Sequence, residues 1–137
     1  MTETASRPVP RPSIQSQPFW DGCARGELLL QRCKGCHTVW HPPSPPCPSC
    51  LSTDYEWTPA SGKGTVYTFS VIHHPFRPAW APFVPYVLAV IELAEGPKLL
   101  SNVIDIAPDE VRVGMDVEVT FQPLTDTSPE IITIARR

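Results

Sequence analysis

The sequence predicts a mainly β protein: a short N-terminal helix, a rubredoxin-like four-cysteine zinc ribbon, and then a five-stranded OB-fold barrel. Three observations carry this. Of 137 residues 18 are proline, and the longest proline-free runs are 19–41, 60–74 and 109–122. Each proline removes a backbone donor and clashes with the preceding turn of a helix, so no bundle of long helices fits. Two C-x-x-C pairs lie close together in the first half of the chain. After them come short runs of alternating or β-branched apolar residues separated by Gly and Pro, the pattern of strands and turns.

Residues 1–15, rich in Thr, Ser, Pro and Arg with no apolar period, read as a flexible arm. A helix is expected from Ser16-Gln17-Pro18-Phe19-Trp20. Ser16 or Gln17 can cap it, Pro18 suits its first turn, and Gly22 or Gly26 can end it. Phe19 and Trp20 need a surface to bury against, on the body or on a partner. Residues 27–32, with Leu28-Leu29-Leu30, read as a strand, and Thr38-Val39-Trp40 as its return. In the second half, Tyr67, Phe69 and Val71 alternate with Thr68 and Ser70 and read as inward-facing. Residues 86–93 form a nearly continuous apolar strand, Ala94-Glu95-Gly96-Pro97 a turn, and 98–104 its hairpin partner. Pro108-Asp109-Glu110-Val111 reads as one helical turn, and strands at 117–121 and 131–135 complete the set. Five short strands suit a Greek-key barrel, which leaves few exposed edges in a small chain. The expected division is therefore 1–15 arm, 16–58 helix and ribbon, and 59–137 barrel.

Cys33-Lys34-Gly35-Cys36 and Cys47-Pro48-Ser49-Cys50 supply the chemistry. Each C-x-x-C turn can aim two thiolates at one ion, and two turns give the four soft ligands of a tetrahedral zinc site. Two disulfides, a redox dithiol and a rubredoxin-type iron site are the rival readings. Four thiolates leave no open coordination position, so a zinc ion here is structural. Its binding energy doubles as folding energy for a segment too small to bury a core. His37 and His41 are subordinate candidates as ligands. Cys23 reads as a small apolar packing residue.

No run approaches the ~20 apolar residues of a membrane-spanning helix. The start, MTETASRPVPRP, lacks an apolar signal core, so the expected location is the cytoplasm. Charge is uneven: residues 1–50 carry five basic and three acidic side chains, and residues 51–137 carry six basic and eleven acidic. An acidic barrel is the wrong sign for a single-stranded nucleic-acid module, which otherwise is the alternative function for a ribbon joined to an OB barrel.

In order and spacing these elements resemble a known family. The matching residues are Pro18-Phe19-Trp20, Gly26-Glu27-Leu28, Arg32-Cys33-Lys34-Gly35-Cys36 and Cys47-Pro48-Ser49-Cys50. Ser61-Gly62-Lys63-Gly64-Thr65-Val66-Tyr67-Thr68-Phe69, Glu92-Leu93-Ala94-Glu95-Gly96 and Val113-Gly114-Met115-Asp116-Val117 continue the match. The family comprises zinc-ribbon and OB-fold proteins, catalogued as a domain of unknown function, that accompany thiolase-like enzymes. The resemblance covers residues 17–135. It implies one structural zinc and a non-catalytic accessory subunit of a thiolase-superfamily enzyme. Such partners include acetyl-CoA acetyltransferases, lipid-transfer-protein-like thiolases and the aldolases of steroid side-chain degradation. The accessory chain would help complete the partner's acyl-CoA pocket, and some relatives are fused to, or work beside, a MaoC-type enoyl-CoA hydratase subunit.

One segment departs from that pattern by its length and its wealth of proline and aromatics: His73-His74-Pro75-Phe76-Arg77-Pro78-Ala79-Trp80-Ala81-Pro82-Phe83-Val84-Pro85. Prolines lower the entropy lost when such a loop binds, and Trp and Arg are frequent interface anchors. His73, His74, Phe76, Arg77, Trp80 and Phe83, together with Phe19 and Trp20, are therefore the candidate partner- or ligand-binding residues; the alternative is a rigid loop folding its aromatics onto its own barrel. Lys34, Lys63, Arg77 and Arg112 are the scattered cations that a CoA phosphate could use. His73-His74 has no nucleophile or orienting third group beside it in the sequence, so the chain reads as non-catalytic on its own.

Overall fold

A computed structural model describes residues 13–75, 78–123 and 130–136. All but residues 13–15 of the expected arm lie outside the described residues, as do Phe76 and Arg77.

Helix α1 (Gln17–Ala24) starts with Pro18 in its first turn, where a missing N–H costs no hydrogen bond. Ser16 precedes it without capping it: its hydroxyl instead accepts the Ser13 backbone N–H at 2.8 Å. Gly26, at φ +79°, takes the left-handed position that stops the helix. Gly22 stands inside the helix because there is no room for a side chain. A Cβ there would lie 2.8 Å from Leu29 Cγ and 2.9 Å from the Glu27 carbonyl oxygen.

Strands β1 (Leu29–Cys33), β2 (Val39–Trp40) and β3 (Tyr55–Pro59) form an antiparallel sheet in the order β2-β1-β3. The sequence reading contains β1 and β2 but not β3. Its pairing is entirely with β1, from Leu29↔Pro59 to Cys33↔Tyr55, and Arg32 reaches Glu56 across it at 3.3 Å.

The remaining strands are β4 (Lys63–Ile72), β5 (Tyr86–Leu93), β6 (Lys98–Ile104), β7 (Asp116–Pro123) and β8 (Glu130–Arg136). They follow one another around a barrel in the order β4-β5-β6-β8-β7. Antiparallel pairing of β4 with β7 closes the ring, and β6 pairs with β8 in parallel, over Val103↔Ile134 and Ile104↔Ala135. This is the five-stranded OB arrangement. Between β6 and β7, Pro108–Glu110 forms the expected short helical turn, of 3-10 type.

One strand differs from expectation. The β4–β5 register skips at Tyr67, between Val66↔Ile91 and Thr68↔Val90, and the extra residue reverses the side-chain phase. Val66 therefore points in and Tyr67, expected in the core, is 53% exposed with Lys98 Nζ 4.7 Å from its ring centroid. Beyond the bulge, Phe69 and Val71 pack on the core as predicted.

A single buried cluster joins the two halves of the molecule. Phe19 and Cys23 of α1, with Leu28 and Leu30, share it with Val66, Val87, Ile91 and Val117 of the barrel. Cys23 is completely buried there, in the packing role expected of it. A second, smaller cluster of Cys33, Trp40 and Cys47, with Tyr55 against it, lies in the ribbon. No helix among the described residues is long and apolar enough to cross a membrane.

Candidate metal centre and the surfaces beside it

The two C-x-x-C segments fold into nearly identical turns. After the second cysteine of each, the chain takes a left-handed conformation, at His37 (φ 67°) and Leu51 (φ 65°). In the first turn, the N–H of His37 donates to the Cys33 carbonyl at 3.0 Å and Cys33 N–H to the Thr38 carbonyl at 2.8 Å. In the second, Leu51 donates to Cys47 at 2.9 Å and Cys47 to Ser52 at 2.9 Å. The first cysteine of each pair is buried and the second exposed.

All four Sγ atoms lie within 4.8 Å of one another, with Cys33 to Cys50 at 3.5 Å and Cys36 to Cys47 at 3.6 Å. A zinc tetrahedron with bonds of ~2.3 Å has sulfur–sulfur edges of about 3.8 Å, so the four sulfurs fit a single ion. The same separations are far beyond a disulfide bond of ~2.05 Å, and the cysteines are free. Electrostatics favour the same conclusion. The Thr38 hydroxyl and then its N–H bring Cys36 down to about 6, and the Cys36 N–H lowers Cys33. The Ser52 N–H also acts to lower Cys50, but the crowding sulfurs of Cys33 and Cys36 outweigh it and push that thiol up to about 12. Four thiolates cannot all ionise at this distance unless a cation sits among them. Neither His37 nor His41 belongs to the cluster.

His41 is instead packed against Phe19, ring centroids 5.1 Å apart, and burial lowers its pKa to about 4. Phe19 also meets Trp20 edge-on at 5.0 Å. Phe19, at 4% exposure, packs in the core and lines the base of a neighbouring cavity, whereas Trp20 is only partly buried. The helix resolves its aromatic pair by docking on its own barrel.

His73 and His74 lie exposed just beyond β4. Phe83, 38% exposed, ends the 3-10 segment Pro78–Phe83 and, with Pro85, borders a cavity of about 510 Å³ against Tyr86, Ile104 and Ile106. Among the candidate cations, Lys34 faces Asp54 at 3.9 Å and Arg112 donates to the carbonyls of Asp109 and Val111, while Lys63 lies beside Glu92 and Asp116.

A second cavity, of about 430 Å³, is absent from the sequence reading. Trp20, His41, Pro42 and Pro43 form one wall; Leu88, Leu100 and Asn102 form the other. Leu88 and Leu100 project outward from β5 and β6, exposed at 36% and 65%. The available signal was apolar residues on both faces of these strands where a surface strand alternates. The loop that forms the first wall is held from the ribbon. Buried Gln31 accepts the Ser44 N–H with Oε1 at 2.9 Å, and Trp40 Nε1 donates to the Ser44 carbonyl at 3.0 Å. Gln31 Nε2 is buried without a hydrogen-bond partner among the described residues.

Comparison with known proteins agrees with this architecture. Residues 20–56 match the family model described as the ChsH2 rubredoxin-like zinc ribbon domain, and residues 57–122 the ChsH2 C-terminal OB-fold domain. A DUF35 domain-containing scaffold protein of Methanocaldococcus jannaschii is 41% identical over 100 residues, covering 72% of this chain and 70% of that one. The chain belongs to the DUF35 family. Among solved structures, a chain of the Ltp2-ChsH2(DUF35) aldolase superposes with a TM-score of 0.84 at 35% identity, covering 93% of this chain and 98% of that one. A probable enoyl-CoA hydratase alpha subunit of Thermomonospora curvata is 44% identical over 124 residues, 89% of this chain. This DUF35 chain spans 37% of that relative's length. The benzoylsuccinyl-CoA thiolase subunit BbsA of Thauera aromatica is 32% identical over 69% of the chain and 63% of its own length. The four cysteines lie within the segment matched by the rubredoxin-like zinc ribbon and are positioned to hold one metal ion.

Proposed function

We propose that the chain is a non-catalytic accessory subunit that binds a thiolase-superfamily enzyme acting on acyl-CoA thioesters, stabilises it, and helps form its acyl-CoA pocket. The carrying observation is the TM-score of 0.84 to the DUF35 chain of an Ltp2-ChsH2 aldolase, matched over 98% of its length. The thiolase subunit BbsA and the hydratase alpha subunit are relatives named for CoA chemistry, which favours thiolase or retro-aldolase partners, with a MaoC-type hydratase as a further neighbour. The cytoplasm, where thiols stay reduced, is the compartment that suits a four-thiolate site.

Two surfaces support the docking role. One is the loop 73–85, with His73, His74 and Phe83 on its described part and Phe76, Arg77 and Trp80 as its remaining candidates. The other is the apolar cavity beside Trp20, whose outer lip is Leu100. The nucleic-acid alternative is disfavoured by charge: residues 51–137 carry eleven acidic side chains against six basic ones. The test is co-expression with a thiolase-like enzyme encoded beside this gene, followed by gel filtration. A stable hetero-oligomer is expected. A chain that elutes alone with every such partner, and shifts a labelled oligonucleotide in a salt-dependent manner, would overturn the proposal.

A further inference from the structure

We infer that the metal cluster opens through Cys50, and that the Thr38 hydroxyl is the positioning group that keeps Cys36 from being an equal point of entry. The two turns are so alike in backbone that their difference is informative. Both inner cysteines are buried, and each receives a backbone N–H on its sulfur: Cys36 N to Cys33 Sγ and Ser49 N to Cys47 Sγ, both at 3.4 Å. Both outer cysteines, Cys36 and Cys50, face solvent. Reagents reach the cluster at these two.

The residue two positions after each outer cysteine carries a hydroxyl, Thr38 in one turn and Ser52 in the other. Thr38 Oγ1 lies 3.1 Å from Cys36 Sγ. When Cys36 is a metal-bound thiolate its sulfur is the acceptor and the hydroxyl the donor. Ser52 has turned away, and its Oγ accepts the Asp54 N–H at 3.0 Å. Cys50 thus lacks the side-chain hydrogen bond that its counterpart has. A hydrogen bond to a thiolate stabilises its charge and withdraws the lone pair that an electrophile would attack. Groups of this kind around a metal commonly change affinity by 10–100-fold. Each outer sulfur thus has the backbone N–H two residues on, and Cys36 alone of the two has a hydroxyl beside it as well.

The experiment uses the full-length, zinc-loaded protein and N-ethylmaleimide below one equivalent. The Sγ–zinc bond breaks as sulfur adds across the maleimide double bond and the resulting carbanion takes a proton from water. Adducts are located by mass spectrometry, and zinc release is followed with a chromogenic chelator. In the wild-type protein the Cys50 adduct is expected to exceed the Cys36 adduct severalfold. Thr38→Val, which keeps the side-chain shape, is expected to raise the Cys36 rate to that of Cys50 and to weaken zinc retention about tenfold. It should also shift the thiolate-to-metal charge-transfer band of the cobalt-substituted protein. Thr38→Ser, which retains the hydroxyl, and Ser52→Ala, which removes one that faces elsewhere, should both behave as wild type. Equal labelling of Cys36 and Cys50 in the wild-type protein would overturn the inference. So would an unchanged Cys36 rate in Thr38→Val, or a Thr38→Ser variant that behaves like Thr38→Val.

Discussion

Replacing Leu100 by aspartate separates the proposed docking role from the fold. Leu100 is 65% exposed on the outer side of β6, opposite Val90, so little apolar burial is lost when it is removed. The cost to stability is that of a poor strand former on a surface position, about 1 kcal/mol or less, a shift of roughly 2–8 °C in melting temperature. At an interface the same change would place a charge against the apolar cavity shared with Trp20. Loss of a central contact there is worth about 2 kcal/mol or more, which at 1.4 kcal/mol per decade raises Kd by about 27-fold or more. Leu51→Asn is the control. Leu51 is 71% exposed on the ribbon and sits at φ 65°, a conformation asparagine tolerates, so fold and assembly should both survive. Partner affinity would be measured by titration calorimetry with the co-expressed enzyme, beside melting curves and zinc content. A Leu100→Asp protein that keeps its zinc and binds the partner as tightly as wild type would remove this cavity from the docking surface.

Three further outcomes follow from the geometry. Chelating the metal should abolish hydrogen-exchange protection at the amides of Cys33, His37, Cys47 and Leu51 while the paired amides of β5 and β6 keep theirs; simultaneous loss everywhere would show that the barrel cannot stand without the ion. His41, whose folded pKa is lowered to about 4, takes up a proton more readily when unfolded. Its contribution is therefore complete above about 6.5 and lost as pH falls toward 4, and denaturation at pH 7 and pH 5 should show a smaller loss for His41→Phe than for wild type. Gln31→Met orphans the Ser44 N–H at about 1–3 kcal/mol but removes the unpaired Nε2 at a similar saving, so the melting temperature should move little while Ser44 exchanges faster; unchanged exchange at Ser44 would refute the clamp.

What could be read from the sequence was what is local. The cysteine turns are set by residues three apart, β5 by a nearly continuous apolar run, and β6 by its place just after the turn Ala94-Glu95-Gly96-Pro97, so all of these are expected at their observed places. What escaped depends on partners distant in the chain. Strand β3 is short and is defined by pairing with β1, from Leu29↔Pro59 onward. Period-two alternation puts Tyr67 inside because it presumes an unbroken ladder, and the skipped residue opposite β5 is visible only once the two strands are paired. Phe19 and Trp20 look equivalent in sequence; only the packing of α1 against the barrel buries one and leaves the other at a cavity's edge.

The same packing limits what the metal can be needed for. Leu28 and Leu30 enter the barrel core, so β1 is anchored whether or not zinc is bound, and β3 is hydrogen-bonded to it. The part that depends on the ion lies between Cys33 and Tyr55, where the apolar support is Cys33, Trp40 and Cys47. Trp40 holds the Ser44 carbonyl from within that cluster, and Gln31 holds the Ser44 N–H from β1. His41, Pro42 and Pro43, one wall of the cavity, lie between Trp40 and Ser44. A buried glutamine with an unpaired amide nitrogen is costly to keep, and its return is a fixed position for that wall. An ion held by the four cysteines would therefore act on the proposed docking surface without touching it: it would brace the cluster in which Trp40 packs, and Trp40 and Gln31 together hold Ser44 at the end of the loop against which a partner would close.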